Sequence, residues 1–228
     1  MNGILLVDKP TDWTSMDVCA KLRGACHEKH IGHTGTLDPN ATGLLIVLVG
    51  KATKAAKFAE YDEKEYLCSL RPGLVTDTQD IWGTTLTENS VEISREALEA
   101  VLPAFRGEIE QLPPMYSAVK IKGQKLYTIA RRGGTVEREP RKINISGLEI
   151  LGTDGSDWLL SVRCSKGTYI RTLCDDIGKA LGCGACMSAL RRTSAGKFRV
   201  EDAHPLADIV ENPEAFLLPT ELITGEST

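Results

Sequence analysis

Runs of apolar residues alternate along this chain with polar, glycine-punctuated segments. The longest unbroken apolar run, residues 44–49, has the length of a buried strand. Shorter alternating patterns predict further strands, and helical patterns fall between them without a regular βαβ rhythm. The predicted strands are residues 3–7, 43–49, 65–70, 82–86, 142–151, 159–164 and 190–193. We therefore predict an α+β fold with a mixed, largely antiparallel sheet and flanking helices and loops.

Capping and turn residues place the boundaries of these elements. Thr14 followed by Asp17 is a typical capping box and predicts a helix to about Ala25. The Asp154-Gly155 dipeptide predicts a tight hairpin. Residues 30–42 are polar and glycine-rich and predict a loop, and 111–114 interrupt regular structure. The remaining predictions are a hairpin arm at 116–123 and helices at 51–61, 94–102, 126–132 and 169–181.

Net charge argues at first against a nucleic-acid partner. The formal charge is −4, whereas phosphate binding depends on clustered cations. The charge is nevertheless unevenly distributed, since residues 117–142 and 163–199 each hold eight Lys or Arg against two acids. Residues 201–228 hold seven acids and no Lys or Arg. The two basic segments are either solvated faces or surfaces for a polyanion.

Composition and cysteine usage indicate a folded cytoplasmic protein. Hydrophobic residues make up 42% and charged residues 25% of the 228 residues, which excludes disordered and collagen-like classes. No apolar run is long enough to span a membrane, and no secretory signal is visible at the N-terminus. Seven cysteines without such a signal suggest reduced thiols rather than a disulfide framework.

Metal-binding patterns are weak. His27 and His30 are three residues apart, one short of the helical zinc signature. Cys183 and Cys186 form a lone C-x-x-C whose possible partners Cys164 and Cys174 are isolated. We expect no metal site, although a zinc-thiolate binding module stays an alternative that bound metal would reveal.

The segment from Gly32 to Gly43 holds three Gly, three Thr, one His and a single acid, Asp38. Asp38 precedes Pro39, which disfavours helical geometry at the aspartate. Two interpretations remain open from the residues alone. Asp38 is either an Asx turn or cap, or a lone carboxylate presented on a rigid loop as a nucleophile or base.

This segment resembles the catalytic loop of the TruB-type tRNA pseudouridine synthases. Five further segments are similar to family motifs and follow in the same order over about residues 3–200. They are Val7-Asp8-Lys9-Pro10, Lys64-Glu65-Tyr66, Gln111 to Lys120, Cys164 to Leu173 and Leu190-Arg191-Arg192-Thr193. The loop motif is highly specific, whereas Lys-Glu-Tyr alone would carry no weight.

The resemblance implies that the chain detaches uracil from its ribose, rotates it and rejoins it through carbon, without metal or organic cofactor. Asp38 matches the catalytic aspartate, which either attacks the ribose or drives a glycal route. Arg171 matches the arginine that pairs with this aspartate. Tyr66 matches the active-site tyrosine, which stacks on the extruded base and takes part in late proton transfer.

The resemblance also implies the substrate, the uridine of the tRNA T loop that is conventionally numbered 55. His33 matches the residue that holds the target base out of its loop, and Tyr169 and Leu190 match pocket positions beside Tyr66. Lys9 and Pro10 are expected to brace the catalytic loop. The basic segment 117–142 resembles an RNA-gripping insertion, and its candidate contacts to the RNA backbone are Lys120, Lys122, Arg131, Arg132 and Arg141.

Domain organisation follows from the extent of the match. Residues 1–200 are expected to form the catalytic domain, and 201–228 a short acidic C-terminal tail without a full RNA-binding domain. The chain is then either a short-form enzyme or a truncated sequence. The predicted partner is the T arm of tRNA, with no membrane, metal or obligate protein partner. A tRNA-folding chaperone that works without chemistry is the rival function.

Overall fold

The computed structural model describes residues 1–59, 61, 63–117, 119–121, 123–130 and 132–225. The chain divides into two compact units. The first unit comprises Met1–Tyr66 and Leu190–Thr228, and the second comprises Leu67–Ala189. Each unit is described by itself below.

The strands are numbered in chain order. They are β1 (Gly3–Lys9), β2 (Ile31–Thr34), β3 (Thr42–Val49), β4 (Glu63–Pro72), β5 (Leu74–Thr76), β6 (Thr85–Glu88), β7 (Gly107–Gln111), β8 (Lys120–Ile121), β9 (Gln124–Lys125), β10 (Arg141–Asp154), β11 (Asp157–Ser165), β12 (Ala185–Ala195), β13 (Phe198–Arg199) and β14 (His204–Pro205).

The α-helices are α1 (Ser15–Ala25), α2 (Arg95–Val101), α3 (Leu126–Ala130), α4 (Ile170–Ala180), α5 (Leu206–Glu211) and α6 (Glu221–Thr224). Segments of 3₁₀ helix cover Gly50–Ala59, Leu102–Phe105, Val200–Asp202 and Pro213–Phe216. No helix among these described residues is both long and apolar enough to cross a membrane.

The first unit is organised around β3. One edge of β3 pairs antiparallel with β1 along its whole length, from Gly3 opposite Val49 to Lys9 opposite Gly43. On its other edge, β2 pairs antiparallel with residues 46–49, and β12 pairs in parallel with Thr42 and Gly43. β2 and β12 therefore pair with different parts of the same edge of β3. The loop between β2 and β3 leaves the sheet between these two pairings.

The core of the first unit is the apolar run predicted from sequence. Residues 44–49 of β3 are buried. Its alternate residues 44, 46 and 48 pack with Ile4 and Leu6 of β1 and with Ala52 and Ala55 of the first 3₁₀ segment. The acidic C-terminal segment is also folded onto this unit. β14 pairs in parallel with β1, and Leu218 exchanges two backbone hydrogen bonds with Ile4, each 2.8 Å long.

The second unit contains an antiparallel sheet and α4. β10 and β11 form the hairpin predicted from the Asp154-Gly155 turn, and β7 pairs with the other edge of β10. β5 and β6 form a separate two-stranded hairpin. With the parallel and antiparallel pairings of the first unit, these strands confirm the predicted mixed, largely antiparallel class.

Four local predictions are corrected by the structure. Residues 31–34 of the predicted loop form β2, because pairing with β3 satisfies their backbone groups despite their polar side chains. The predicted helix at 51–61 is a 3₁₀ segment. The strand expected at 82–86 is Thr85–Glu88 instead, since residues 81–83 form a turn. Gln111, expected in a break, ends β7.

Candidate active site

Asp38 lies in the loop between β2 and β3. Its carbonyl oxygen accepts a 3.0 Å hydrogen bond from the Ala41 amide, which closes a turn with Pro39 at the second position. The Asp38 side chain is half-buried. Gly43 ends the loop with φ +97°, and a Cβ atom at this position would collide with the Arg192 backbone. The loop is therefore compact and closely apposed to β12 of the same unit.

Ser15 fixes the residue immediately before the aspartate. Its hydroxyl donates a 3.1 Å hydrogen bond to the Leu37 carbonyl and accepts a 3.0 Å bond from the Leu37 amide. Ser15 is the buried first residue of α1, whose N-terminus is closed by the capping box of Thr14 and Asp17. Because the helix start is fixed, the Leu37 backbone is held in one position.

Lys9 fixes the residue immediately after the aspartate. Its side chain is fully buried, with a relative exposure of 0%, and its ammonium donates to the carbonyls of Pro10 (2.8 Å), Trp13 (2.6 Å) and Pro39 (2.9 Å). All three ammonium protons are therefore used. Burial lowers the pKa of Lys9 to about 8, and the nearby Asp38 carboxylate partly opposes this shift.

Arg192 holds the backbone at the start of the loop between β2 and β3. Its exposure is 1%, and its guanidinium donates to the Leu44 carbonyl (2.7 Å) and to the Gly35 carbonyl (2.9 Å). The preceding residue, Arg191, forms a two-pronged ion pair with Asp8 of β1, at 2.9 and 2.8 Å. Together, Ser15, Lys9 and Arg192 hold the loop backbone at Gly35, Leu37 and Pro39.

His33 lies on β2 beside the start of the loop that carries Asp38. Its side chain is half-buried, and its Nδ1 has no hydrogen-bond partner within the described part of the chain. Burial, followed by the charge of Arg192, lowers the pKa of His33. Tyr66 on β4 and Leu190 on β12, predicted to line the substrate pocket, are both buried side chains of this same unit.

Arg171 and Tyr169 lie in the second unit. Arg171 is a buried residue of the first turn of α4, and its guanidinium donates to the carbonyls of Thr78 (3.2 Å) and Tyr116 (2.9 Å). Tyr169 is the N-cap residue of α4. Its amide donates to Gln111 Oε1 (2.8 Å), and its carbonyl accepts from Gln111 Nε2 (3.0 Å), which fixes the start of the helix.

Asp80 is a functional candidate that sequence reasoning missed. Its carboxylate forms an ion pair with Arg171, with Oδ2 3.7 Å from Nη1. Thr78 Oγ1 donates to Asp80 Oδ1 at 2.7 Å. The available signal was the run Thr76-Asp77-Thr78-Gln79-Asp80, whose short polar side chains are suited to fixing a loop around a carboxylate.

The candidate RNA-backbone residues are only partly described. Arg132 is exposed after α3, and Arg141 is exposed at the start of β10. Lys120 belongs to β8, but its side chain lies outside the described part of the structure, as do residues Lys122 and Arg131. Among the described residues, no three His, Cys, Asp or Glu side chains are grouped as a metal site requires.

Comparison with known proteins places the chain in a family. Residues 23–170 match the sequence model for the N-terminal domain of the TruB family pseudouridylate synthases. Residues 171–222 match that for the tRNA pseudouridylate synthase B C-terminal domain. A curated relative from Chromobacterium violaceum, named tRNA pseudouridine synthase B, is 48% identical over 98% of this chain and 74% of its own length. A namesake from Opitutus terrae is 48% identical over 96% of this chain and 90% of its own length.

Solved structures agree with the sequence comparison. A Cbf5-Nop10-Gar1 complex contains a chain that matches 92% of this one with 33% identity and a TM-score of 0.73. An H/ACA RNP bound to a substrate RNA containing 2′-deoxyuridine gives 28% identity over 96% of this chain and the same TM-score of 0.73. This chain spans 54% and 59% of those two chains.

The family models between them cover residues 23–222, and the curated relatives agree with them over nearly the whole chain. The glycine-rich loop that carries Asp38 lies inside the matched region. The chain belongs to the TruB family of pseudouridylate synthases.

Proposed function

We propose that this chain isomerises the T-loop uridine at position 55 of tRNA to pseudouridine, with Asp38 as the essential carboxylate. Isomerisation of uridine in tRNA follows from membership of the family. The T-loop position and the roles of individual residues are the proposal. The observation that carries it is the support of the Asp38 loop by three buried side chains, Ser15, Lys9 and Arg192.

The support of this loop suits a reacting carboxylate better than a structural turn. A turn residue needs only its own local hydrogen bonds, whereas here the backbone is held at Gly35, Leu37 and Pro39 from three different elements. A catalytic group must be held close to its reactive geometry, since small displacements cost large factors in rate.

The other residues take their proposed roles from the family resemblance. Tyr66 stacks on the base and assists proton transfer, and Arg171 serves as a cationic catalytic residue. His33, Tyr169 and Leu190 bind the substrate nucleotide. The lowered pKa of His33 suits this role, because it favours the uncharged ring, which can stack on bases without the cost of removing a charge from water. Lys120, Lys122, Arg131, Arg132 and Arg141 are proposed to contact RNA phosphates.

The decisive experiment measures tritium release from a T-arm hairpin labelled at carbon 5 of its uridine. Purified wild-type chain alone is expected to release tritium, without added protein or metal. Asp38→Asn keeps the size of the side chain and removes its charge, so release should fall at least about 10³-fold. Binding of the hairpin should be retained, because the change leaves the backbone supports of the loop in place.

Asp12→Asn is the matched control. Asp12 is exposed and also interacts with the charge of Lys9, so this variant makes the same chemical change in the same electrostatic surroundings. Its tritium release should stay close to wild type. Full release by Asp38→Asn would refute the proposed role of the aspartate. An inactive Asp38→Asn that still complements every cellular phenotype would favour the chaperone function.

A further inference from the structure

Trp82 presents an indole ring to solvent from a tightly fixed turn in the second unit. Its relative exposure is 47%, whereas the other two tryptophans, Trp13 and Trp158, are half-buried. Large aromatic side chains are usually turned into the protein interior. An exposed indole on a well-anchored backbone therefore calls for a function.

The turn around Trp82 is anchored on both sides. The Ile81 amide donates to the Met187 carbonyl, and the Met187 amide donates to the Gln79 carbonyl, both at 3.0 Å. At Gly83, a Cβ atom would collide with the Thr78 side chain, so this position of the turn has room only for glycine. The Trp82 backbone consequently loses little further freedom when a ligand binds.

The same turn is connected directly to the buried Arg171. The Trp82 amide donates a 3.1 Å hydrogen bond to Asp80 Oδ1, and Asp80 Oδ2 forms the ion pair with Arg171. Gln79 reinforces the connection, because its side chain donates to Asp175 (2.9 Å) and accepts from Thr172 (2.8 Å), both on α4. The backbone of Trp82 is thus linked to the helix that carries Arg171 and begins after Tyr169, two of the proposed site residues.

We propose that Trp82 is a stacking platform for an unpaired base of the substrate RNA. This inference rests on the proposed function, which supplies RNA as the ligand. An aromatic face binds any base through its π-surface, and stacking is a principal means of recognising single-stranded loops. The T loop of tRNA offers such bases.

The surroundings of Trp82 favour RNA over a protein partner. In sequence, the turn that holds Trp82 includes the short polar side chains of Asp77, Thr78 and Thr84. A protein interface is centred on a contiguous apolar patch with charges kept to its rim. A single aromatic ring among polar groups can instead stack on the flat face of one base. The edges of that base then stay hydrogen-bonded to water or to polar groups of the protein surface.

Fluorescence and binding test the proposal in a chain that binds RNA without turning it over. In an Asp38→Asn background, Trp13→Phe and Trp158→Phe leave Trp82 as the only tryptophan. Titration with a T-arm hairpin should then quench its emission. Trp82→Ala in the otherwise wild-type chain should raise the Kd for the hairpin about 5- to 150-fold. The KM should rise similarly, while kcat at saturating RNA stays near wild type.

Two variants separate stacking from apolar contact. Trp82→Phe keeps an aromatic face and should recover most of the affinity, whereas Trp82→Leu keeps apolar bulk and should bind as weakly as Trp82→Ala. The matched control is Leu86→Ala on β6 of the neighbouring hairpin, whose side chain is 64% exposed and whose loss should leave Kd unchanged. Thermal unfolding is measured for every variant, and only those that unfold like wild type are compared.

An unchanged Kd for Trp82→Ala, full affinity in Trp82→Leu, or unquenched emission from Trp82 would each overturn the inference. These outcomes differ from failure of the proposed function, which shows as a wild-type chain that releases no tritium or an Asp38→Asn variant that releases it normally. The stacking proposal can thus fail in an active enzyme.

Discussion

At the scale of single residues, Lys9 shows how backbone carbonyls can surround a buried charge. Its ammonium is surrounded by three backbone carbonyls, whose partial charges replace the water that burial removes. The compensation is incomplete, since burial still lowers the pKa from 10.5 to about 8. The sequence predicted that Lys9 braces the catalytic loop, and the bond to Pro39 confirms that contact.

This shift predicts how stability changes with pH. Between about 8 and 10.5 the unfolded chain binds more protons at Lys9 than the folded chain does, so this residue makes the free energy of unfolding rise with pH across that window. Lys9→Met leaves three carbonyls without this donor and should destabilise the protein by about 1–3 kcal/mol or more at neutral pH, the cost of leaving buried acceptors unpaired.

Urea unfolding of both proteins across that pH range measures the effect. The stability difference between wild type and Lys9→Met should widen as pH increases from 8 to 10. Other groups that titrate there, chiefly cysteine and tyrosine, are common to the two proteins and cancel in the comparison. A difference that is constant with pH would show that burial does not penalise the ammonium.

At the scale of elements, the N-terminus of α1 has two separable roles. Thr14 and Asp17 close the helix with a reciprocal capping box, while Ser15 forms hydrogen bonds with Leu37 of the loop that carries Asp38. The capping box was predictable because its signal lies within four consecutive residues. The bond from Ser15 to Leu37 joins residues 22 positions apart, and local patterns carry no information about such a contact.

Two alanine variants distinguish these roles. Thr14→Ala and Ser15→Ala should each lower the free energy of unfolding by about 1–2 kcal/mol. Thr14→Ala removes the helix cap, and Ser15→Ala leaves the buried Leu37 amide and carbonyl without their hydrogen-bond partner. Only Ser15→Ala releases the backbone beside Asp38, so only it should reduce kcat, by about tenfold or more. Steady-state tritium release and urea unfolding give the two quantities, and equal kcat values would show that Ser15 acts on stability alone.

β2 illustrates where local sequence patterns fail. Its residues, Ile31-Gly32-His33-Thr34, have the polarity of a loop, and they form a strand because β3 offers them an open edge. The 3₁₀ segment at Gly50–Ala59 was predicted as an ordinary helix, because its alanines at positions 52, 55, 56 and 59 follow the i, i+3, i+4, i+7 spacing typical of an α-helix. By contrast, the buried run 44–49 and the Asp154-Gly155 hairpin follow from local chemistry and were correctly predicted.

At the scale of the whole molecule, net charge is a poor guide to the ligand. A formal charge of −4 would place the chain among proteins that avoid RNA, although it belongs to a family that modifies RNA. The site residues could be proposed only through the resemblance, because Asp38 alone has an ordinary turn interpretation. Asp80 was missed since its role depends on Arg171, a residue 91 positions away in the sequence.

The distribution of charge predicts the salt dependence of tRNA binding. Arg132→Glu with Arg141→Glu removes two exposed cations from the basic segment 117–142, and should flatten the slope of log Kd against log salt by about one unit for each phosphate that is no longer neutralised. Lys29→Glu with Arg95→Glu is the control, since it changes net charge equally at exposed positions outside that segment. Equal slopes for the two double variants would show that the segment is only a solvated face.

The pairing of Ile4 with Leu218 has a consequence for the order in which the protein can fold during synthesis. The second unit is one continuous stretch, Leu67–Ala189, whereas the first is assembled from both ends of the chain. The second unit is therefore fully translated while β1 still lacks β14 and Leu218, its last partners. The loop that presents Asp38, the proposed catalytic carboxylate, belongs to the unit that is completed last, so the residues from β12 to Leu218 must be translated before this loop can reach its final setting.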